Sequence, residues 1–230
     1  MWLSPRSTRR RDVRAIYQTL PLIGTPHYLA EDATLGDRSS QRSGELWTEV
    51  RFDPAIPDAY RHTMSAQPLH TDGSYIETYP NATLMCCINN SAEGGETVFI
   101  TARQLIGALS SKPIPNCSNV LEHPVPHARS GDTRTFPVIR DDAGTLKLNW
   151  NYYCVAEDRS ADVSDLREQL FQVLRESEVV LDARESVRLN TGDAVVWKDD
   201  EVLHGRNSFV AKQAGDRFLW KAAVDVGVFK

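Results

Sequence analysis

The chain has 230 residues, of which 41% are hydrophobic and 25% charged, the balance of a soluble globular protein large enough for one domain with a substantial core. Its net charge of −5 argues against a partner held mainly through phosphate contacts, so no nucleic-acid partner is expected. No apolar run is long enough to span a bilayer and no signal-peptide core follows the first residues, so the expected setting is cytoplasmic, with no membrane partner.

Taken in chain order, Arg6, Arg9, Arg10 and Arg11 precede the first acid, Asp12. Residues 1–12 read as a frayed end of a single domain covering 1–230. Residues 13–22 suit a short helix ending near Gly24, and residues 31–45 are polar enough for a loop. Residues 47–52 look like a strand closed by Pro54 and Pro57. Two strands, 83–89 and 96–100, flank the turn-rich stretch 90–95, and Thr101 suits the cap of a brief helix reaching Leu109.

Residues 133–140 and 145–154 flank Asp141-Asp142-Ala143-Gly144, a hairpin signal, with Trp150 and Tyr152 on one face of the second strand. A longer helix is expected from about 162–164, where Leu166, Leu170, Val173 and Leu174 form one apolar stripe. Residues 186–189 and 194–197, around Asn190-Thr191-Gly192-Asp193, read as another hairpin, and 217–226 as a last strand. Many short strands and few helices predict a mostly β fold with flanking helices, a jelly roll or the related double-stranded β-helix. Cys86, Cys87, Cys117 and Cys154 form no CxxC, and the adjacent pair would face opposite ways on a strand, which fits free thiols in a reducing compartment.

The chemistry concentrates in His70-Thr71-Asp72 and the distant His204-Gly205-Arg206. On an extended strand His70 and Asp72 point to the same face, because side chains alternate. A second imidazole from His204 would complete two His and one carboxylate, which leave three positions of an octahedral iron open for substrates and dioxygen. Gly94-Gly95-Glu96-Thr97 places a hydroxyl on a strand nearby in sequence order, and Arg217 can return beside the metal on a later strand. An oxygen-activating iron needs a two-electron co-reductant, which 2-oxoglutarate can supply, and a guanidinium suits the distal carboxylate of that acid.

Residues 68–75, Gly94-Gly95-Glu96-Thr97, Gly192-Asp193, residues 202–206 and Arg217 resemble, in order and spacing, the motifs of taurine dioxygenase-like 2-oxoglutarate oxygenases. The stretches 69–77 and 203–209 are more similar to the glutarate hydroxylase branch. The resemblance runs from about Leu22 to Val226. It implies a double-stranded β-helix in which His70, Asp72 and His204 bind Fe(II), while Arg217 and Thr97 hold 2-oxoglutarate. Much of the family's N-terminal segment has no counterpart ahead of Leu22, so a substrate wall built there is expected to differ. Lys221 stands where many relatives have arginine, four residues after Arg217 and on the same face of a strand. It is a candidate for an anionic group of the substrate, with Tyr75 and Trp150 as further substrate candidates. Asp72 leaves no vacancy for a halide, so hydroxylation or another oxidation such as desaturation is expected.

The expected activity is oxidation of a small molecule, such as an amino acid, dicarboxylate or natural-product intermediate, with O2 consumed and succinate and CO2 released. Relatives often self-associate, which leaves a homo-oligomer open. The competing reading is a non-catalytic jelly-roll module that binds a ligand or a structural metal; such a module has no need of Arg217 and Thr97 for a second organic acid. His27, His62, His123 and His127 read as ordinary satisfied residues, Pro124 and Pro126 forbidding a helix that would pair the last two. Arg206 reads as a partner in a structural salt bridge.

Overall fold

The computed structural model describes residues 20–27, 47–56, 60–111, 121–129 and 131–227. The frayed end, most of the first helix, the polar loop 31–45 and Cys117 therefore lie outside the described residues. Residues 20–23 are helical and stop at Gly24, whose N–H bonds to the Leu20 carbonyl. Strands β1 (Thr25–His27), β2 (Thr48–Arg51), β3 (Gln67–His70), β4 (Ala82–Asn90), β5 (Glu93–Gly94) and β6 (Thr97–Thr101) lead into helix α1 (Ala102–Ser111). Thr101 caps α1 as expected: its hydroxyl accepts from the Gln104 N–H, and the Gln104 side chain accepts from the Thr101 N–H in return.

Strands β7 (Pro124–Arg129), β8 (Asp132–Pro137), β9 (Ile139–Asp142) and β10 (Thr145–Leu148) follow. The β9–β10 hairpin turns on Ala143 and Gly144, both at positive φ, the backbone a tight two-residue turn requires. β10 ends at Leu148, earlier than its sequence suggests. Asn151 then caps a 3-10 turn at Tyr152–Cys154, so Trp150 and Tyr152 are not strand neighbours on one face. Helix α2 (Ala161–Glu176) starts one residue ahead of the expected window because the Ser160 hydroxyl caps it, and it buries Leu166, Leu170 and Leu174. After α3 (Glu178–Ala183) come β11 (Glu185–Val187), β12 (Ala194–Lys198), β13 (Val202–Arg206), β14 (Phe209–Val210) and β15 (Arg217–Asp225).

The strands form two principal antiparallel sheets. One runs β1-β15-β4-β12, with β2 also on β15, and the other runs β11-β6-β13-β3. This is the double-stranded β-helix predicted. One expectation fails: β11 and β12 are not a hairpin, because β11 pairs with β6 and β12 with β4. The turn at 190–193 carries the chain from one sheet to the other, held by Asp193 accepting from the backbone and side-chain nitrogens of Asn190.

Side-chain alternation sorts the core. Met85, Cys87 and Leu219 point between the sheets onto Val187 and Phe99, while Leu84, Cys86, Ala222 and Val224 face outward beneath Leu20 and Trp47. Cys86 and Cys87 do face opposite ways, and burial pushes both thiols up to about 12, so neither is a reactive thiolate. The outer face of the four-stranded sheet, with Leu69, Val98, Ile100 and Leu203, packs under the three helices. Covering both sheets in this way leaves the space between them as the place where polar side chains can converge.

Candidate metal centre

Antiparallel pairing of β13 with β3 sets His204 directly opposite His70, with their rings 4.3 Å apart. Gly205 allows this approach, because a Cβ there would lie 2.7 Å from the Gln67 carbonyl. β3 ends at His70. The Thr71 N–H bonds to the Trp150 carbonyl at 2.7 Å, and Asp72 opens the turn that follows. Asp72 therefore reaches the histidines from a turn rather than from a strand, yet its oxygens lie 3.7 Å from His70 Nε2 and 3.7 Å from His204 Nε2. Among the described residues these three are the His, Cys, Asp or Glu group able to hold a metal, their ligand atoms all within 4.8 Å of one another.

The donor set fits a divalent transition metal. His70 Nδ1 lies 2.8 Å from the Pro68 carbonyl, which can only accept, so Nε2 carries the free lone pair. His204 Nδ1 lies 3.2 Å from Asp199 Oδ1, which leaves its Nε2 equally free. Cis ligands about 2.1 Å from a metal sit about 3 Å apart, so small side-chain rotations close the cluster. Cationic or hydrogen-donating groups already lie on two of the ligands: Lys221 Nζ contacts Asp72 Oδ2, and the Gln67 amide is 3.3 Å from His70 Nε2. Burial, followed by the neighbouring His204, lowers His70 to about 4, keeping the ring neutral as a ligand must be. Burial alone would raise the Asp72 carboxyl, but Lys221 and the two imidazoles override it and hold it well below the usual carboxylate range.

Asp199 and Gln67 escaped the sequence reading. Asp199 is buried, with Oδ2 accepting the Asp72 N–H at 2.7 Å and Oδ1 accepting Trp197 Nε1 at 3.0 Å while facing His204. One carboxylate thus supports two of the three ligands. Its sequence signal, an acid two residues beyond a strand tryptophan, is too common to stand out.

Arg217 opens β15 between the sheets and is 2% exposed. Its Nε donates to the Gly95 carbonyl at 3.2 Å, and it forms no ion pair among the described residues. Burial, then Arg206, lowers it to about 9, so a carboxylate there would be strongly welcome. Gly95 sits at φ +75, and a Cβ on it would come within 3.0 Å of Arg217 Nε, so the paired glycines bring backbone against the guanidinium. Thr97 is buried on β6 two residues later, opposite Arg206.

The remaining candidates divide. Lys221 is on Asp72. Tyr75 is half-buried, and Asp72 is among the charges it feels. Trp150 is 0% exposed within the core beneath the helices, so it backs the ligand loop and does not line an open cavity. Arg206 makes no salt bridge among the described residues; its Nη2 donates to the carbonyls of Tyr60, Thr63 and Ser65. His62 and His127 are buried and hydrogen-bonded, as ordinary residues should be.

A double-stranded β-helix carrying two histidines and an aspartate between its sheets defines the architecture of a non-heme iron oxygenase. Residues 30–223 match the family described as taurine catabolism dioxygenase TauD, TfdA family, and the chain belongs to it. It is similar to a tyrosine isonitrile desaturase of Erwinia amylovora (strain CFBP1430), 25% identical over 220 residues that cover 84% of this chain and 73% of that protein. Among solved structures, an asparagine oxygenase in complex with Fe(II), 2S,3S-3-hydroxyasparagine and succinate aligns with a TM-score of 0.70 at 15% identity, covering 91% of this chain and 63% of that one. The non-heme iron oxygenase OrfP in complex with Fe and alpha-ketoglutaric acid aligns with a TM-score of 0.65 at 17% identity, covering 93% and 64%. The chain thus spans less than two thirds of the length of these solved relatives. No helix among the described residues is long and apolar enough to cross a membrane.

Proposed function

We propose that this single-domain protein is an Fe(II)/2-oxoglutarate-dependent dioxygenase that hydroxylates or desaturates a small molecule bearing an anionic group. The observation that carries this reading is the meeting of His70, Asp72 and His204 in the same inter-sheet space as a buried Arg217 that has no ion pair among the described residues. Bound iron would supply oxygen activation, driven by oxidative decarboxylation of 2-oxoglutarate to succinate and CO2.

The residues of the chain orient and shield. His70 and His204 would hold the ion through Nε2, and Asp72 through its carboxylate. Asp199 holds the Asp72 backbone and stands 3.2 Å from His204 Nδ1, where it would steady that ring once a metal took Nε2. Arg217 would hold the distal carboxylate of the keto acid through a two-pronged contact, with the Thr97 hydroxyl beside it. Lys221, released from Asp72 when a cation takes the carboxylate, would offer its ammonium to an acidic group of the substrate. Phe99, Val187 and Trp197 pack as an apolar cluster beside His204 and would limit water there.

Amino acids and dicarboxylates are the substrate classes to try first. The solved relatives include an asparagine oxygenase, and the motif stretches resemble the glutarate hydroxylase branch. Desaturation stands beside hydroxylation because the relative from Erwinia amylovora is a desaturase. A screen for O2-dependent succinate release across amino acids, their N-substituted derivatives and dicarboxylates tests the proposal. Stimulation by one class, lost without O2, supports it; a metal-loaded protein that never consumes 2-oxoglutarate would favour the non-catalytic module.

A further inference from the structure

A second cavity, of about 490 Å³, lies between β3, the turn at Tyr60–His62 and the C-terminal end of α2. Three arginines line it, Arg175, Arg184 and Arg206, and among the described residues no acidic side chain does. Arg206 is 4% exposed; three carbonyls take its Nη2, but neither Nε nor Nη1 has a partner among the described residues. Arg184 Nε is likewise buried without a partner. Arg184 is lowered by burial, with no carboxylate opposing the shift. Uncompensated guanidinium groups at a buried wall cost free energy unless an anion meets them.

The opposite wall is aromatic. The Tyr60 and Tyr153 rings lie 5.3 Å apart with their hydroxyls in contact, Phe171 is 6.3 Å from Tyr153, and Arg175 lies over the Phe171 ring. Tyr153 also meets the Tyr152 ring edge-on at 5.1 Å, yet it stays 52% exposed, which leaves much of an aromatic ring open to the cavity side.

We propose that this cavity binds an organic anion, with its carboxylate or phosphate on Arg206, Arg175 and Arg184 and its apolar body against Tyr153 and Phe171. Planar forks suit both oxyanions, and an aromatic wall favours a ligand with an unsaturated or cyclic body. Gln67 lines the same cavity and its amide sits 3.3 Å from His70 Nε2, which puts the cavity beside the candidate ligand atoms. The anion is therefore either the far end of the oxidised substrate, an assignment that rests on the oxygenase reading, or a separate ligand that does not need it.

Calorimetric titration of the purified protein with inorganic phosphate and with phenyl phosphate tests the site. Because Arg206 also ties down a loop, the variant to use is Arg175→Gln/Arg184→Gln, which removes the other two guanidinium groups and spares that contact. The expected result is phenyl phosphate binding about tenfold tighter than phosphate, with both weakened about tenfold or more in the double variant. No binding by wild type at tens of millimolar, or equal binding by wild type and variant, overturns the proposal.

Repeating the titration anaerobically with Fe(II) and 2-oxoglutarate separates the two sources. A phenyl phosphate-dependent change in the visible band of the iron–keto acid chelate assigns the anion to the substrate. Binding that leaves the band unchanged assigns it to a separate ligand. Absence of the band condemns the oxygenase reading, while the metal-free titration still judges the cavity.

Discussion

Asp199 shows how one side chain can govern a site without touching what binds there. It faces His204 Nδ1 and accepts the Asp72 N–H, so removing it frees two ligands at once. Asp199→Ala should weaken Fe(II) binding by about 10- to 100-fold, read by anaerobic metal titration, with Asp199→Asn intermediate. Arg217→Met should leave Fe(II) affinity within about twofold of wild type while reducing 2-oxoglutarate affinity by at least about tenfold, as expected when a charged hydrogen-bonding partner is lost. Equal losses of both would show that Arg217 supports the fold instead. Lys221→Met should raise the substrate KM; an unchanged KM would remove Lys221 from substrate recognition. At this scale the motifs located His70, Asp72 and His204, which the fold brings together as expected. Asp199 and Gln67 were hidden because their meaning comes from contacts, and Asp199 meets Asp72 across most of the chain length.

Elements deliver these side chains, and the pairing of β3 with β13 is the decisive one. Gly205→Ala would drive a Cβ into the Gln67 carbonyl, 2.7 Å away, and push His70 from His204. The expected result is a lower melting temperature together with weaker metal binding; a normal melting temperature and normal metal binding would show that the sheet yields without cost. On β7, His127 is fully buried against Val125, Asn149 and Asn151, and burial lowers it to about 4.

An unfolded histidine titrates near 6.5, so the folded state resists protonation at His127. Its contribution is complete above about pH 6.5 and is lost as the pH falls toward 4, by at most about 3 kcal/mol. Denaturant unfolding at pH 7 and pH 4.5 should show a smaller loss in His127→Gln than in wild type, and an identical loss would contradict the assignment. Local signals predicted the elements well where the structure itself is local, as in the Thr101 cap, the Ala143-Gly144 turn and the leucine stripe of α2. They failed at 186–197, because the turn residues specify a reversal but not which sheet receives each strand. They also overextended β10, where Asn151 caps a 3-10 turn in competition with the strand.

The described residues form two principal sheets, sealed outside by helices and by the segment around Leu20 and Trp47, with the candidate ligands gathered in between. That arrangement makes a place where a metal and an organic acid can meet with water limited, which is why the family architecture was legible from motif order alone. The charge of −5 suits a protein that meets small molecules, while the arginine-lined cavity is a local exception to it.

Anaerobic addition of Fe(II) and then 2-oxoglutarate to the purified protein, followed by visible absorption, tests the central claim most directly. One chelate per chain should appear, vanish in Asp72→Ala and His204→Ala, and require far more 2-oxoglutarate in Arg217→Met. A protein that binds iron with no such band, or whose band survives loss of Asp72 or His204, would contradict the account.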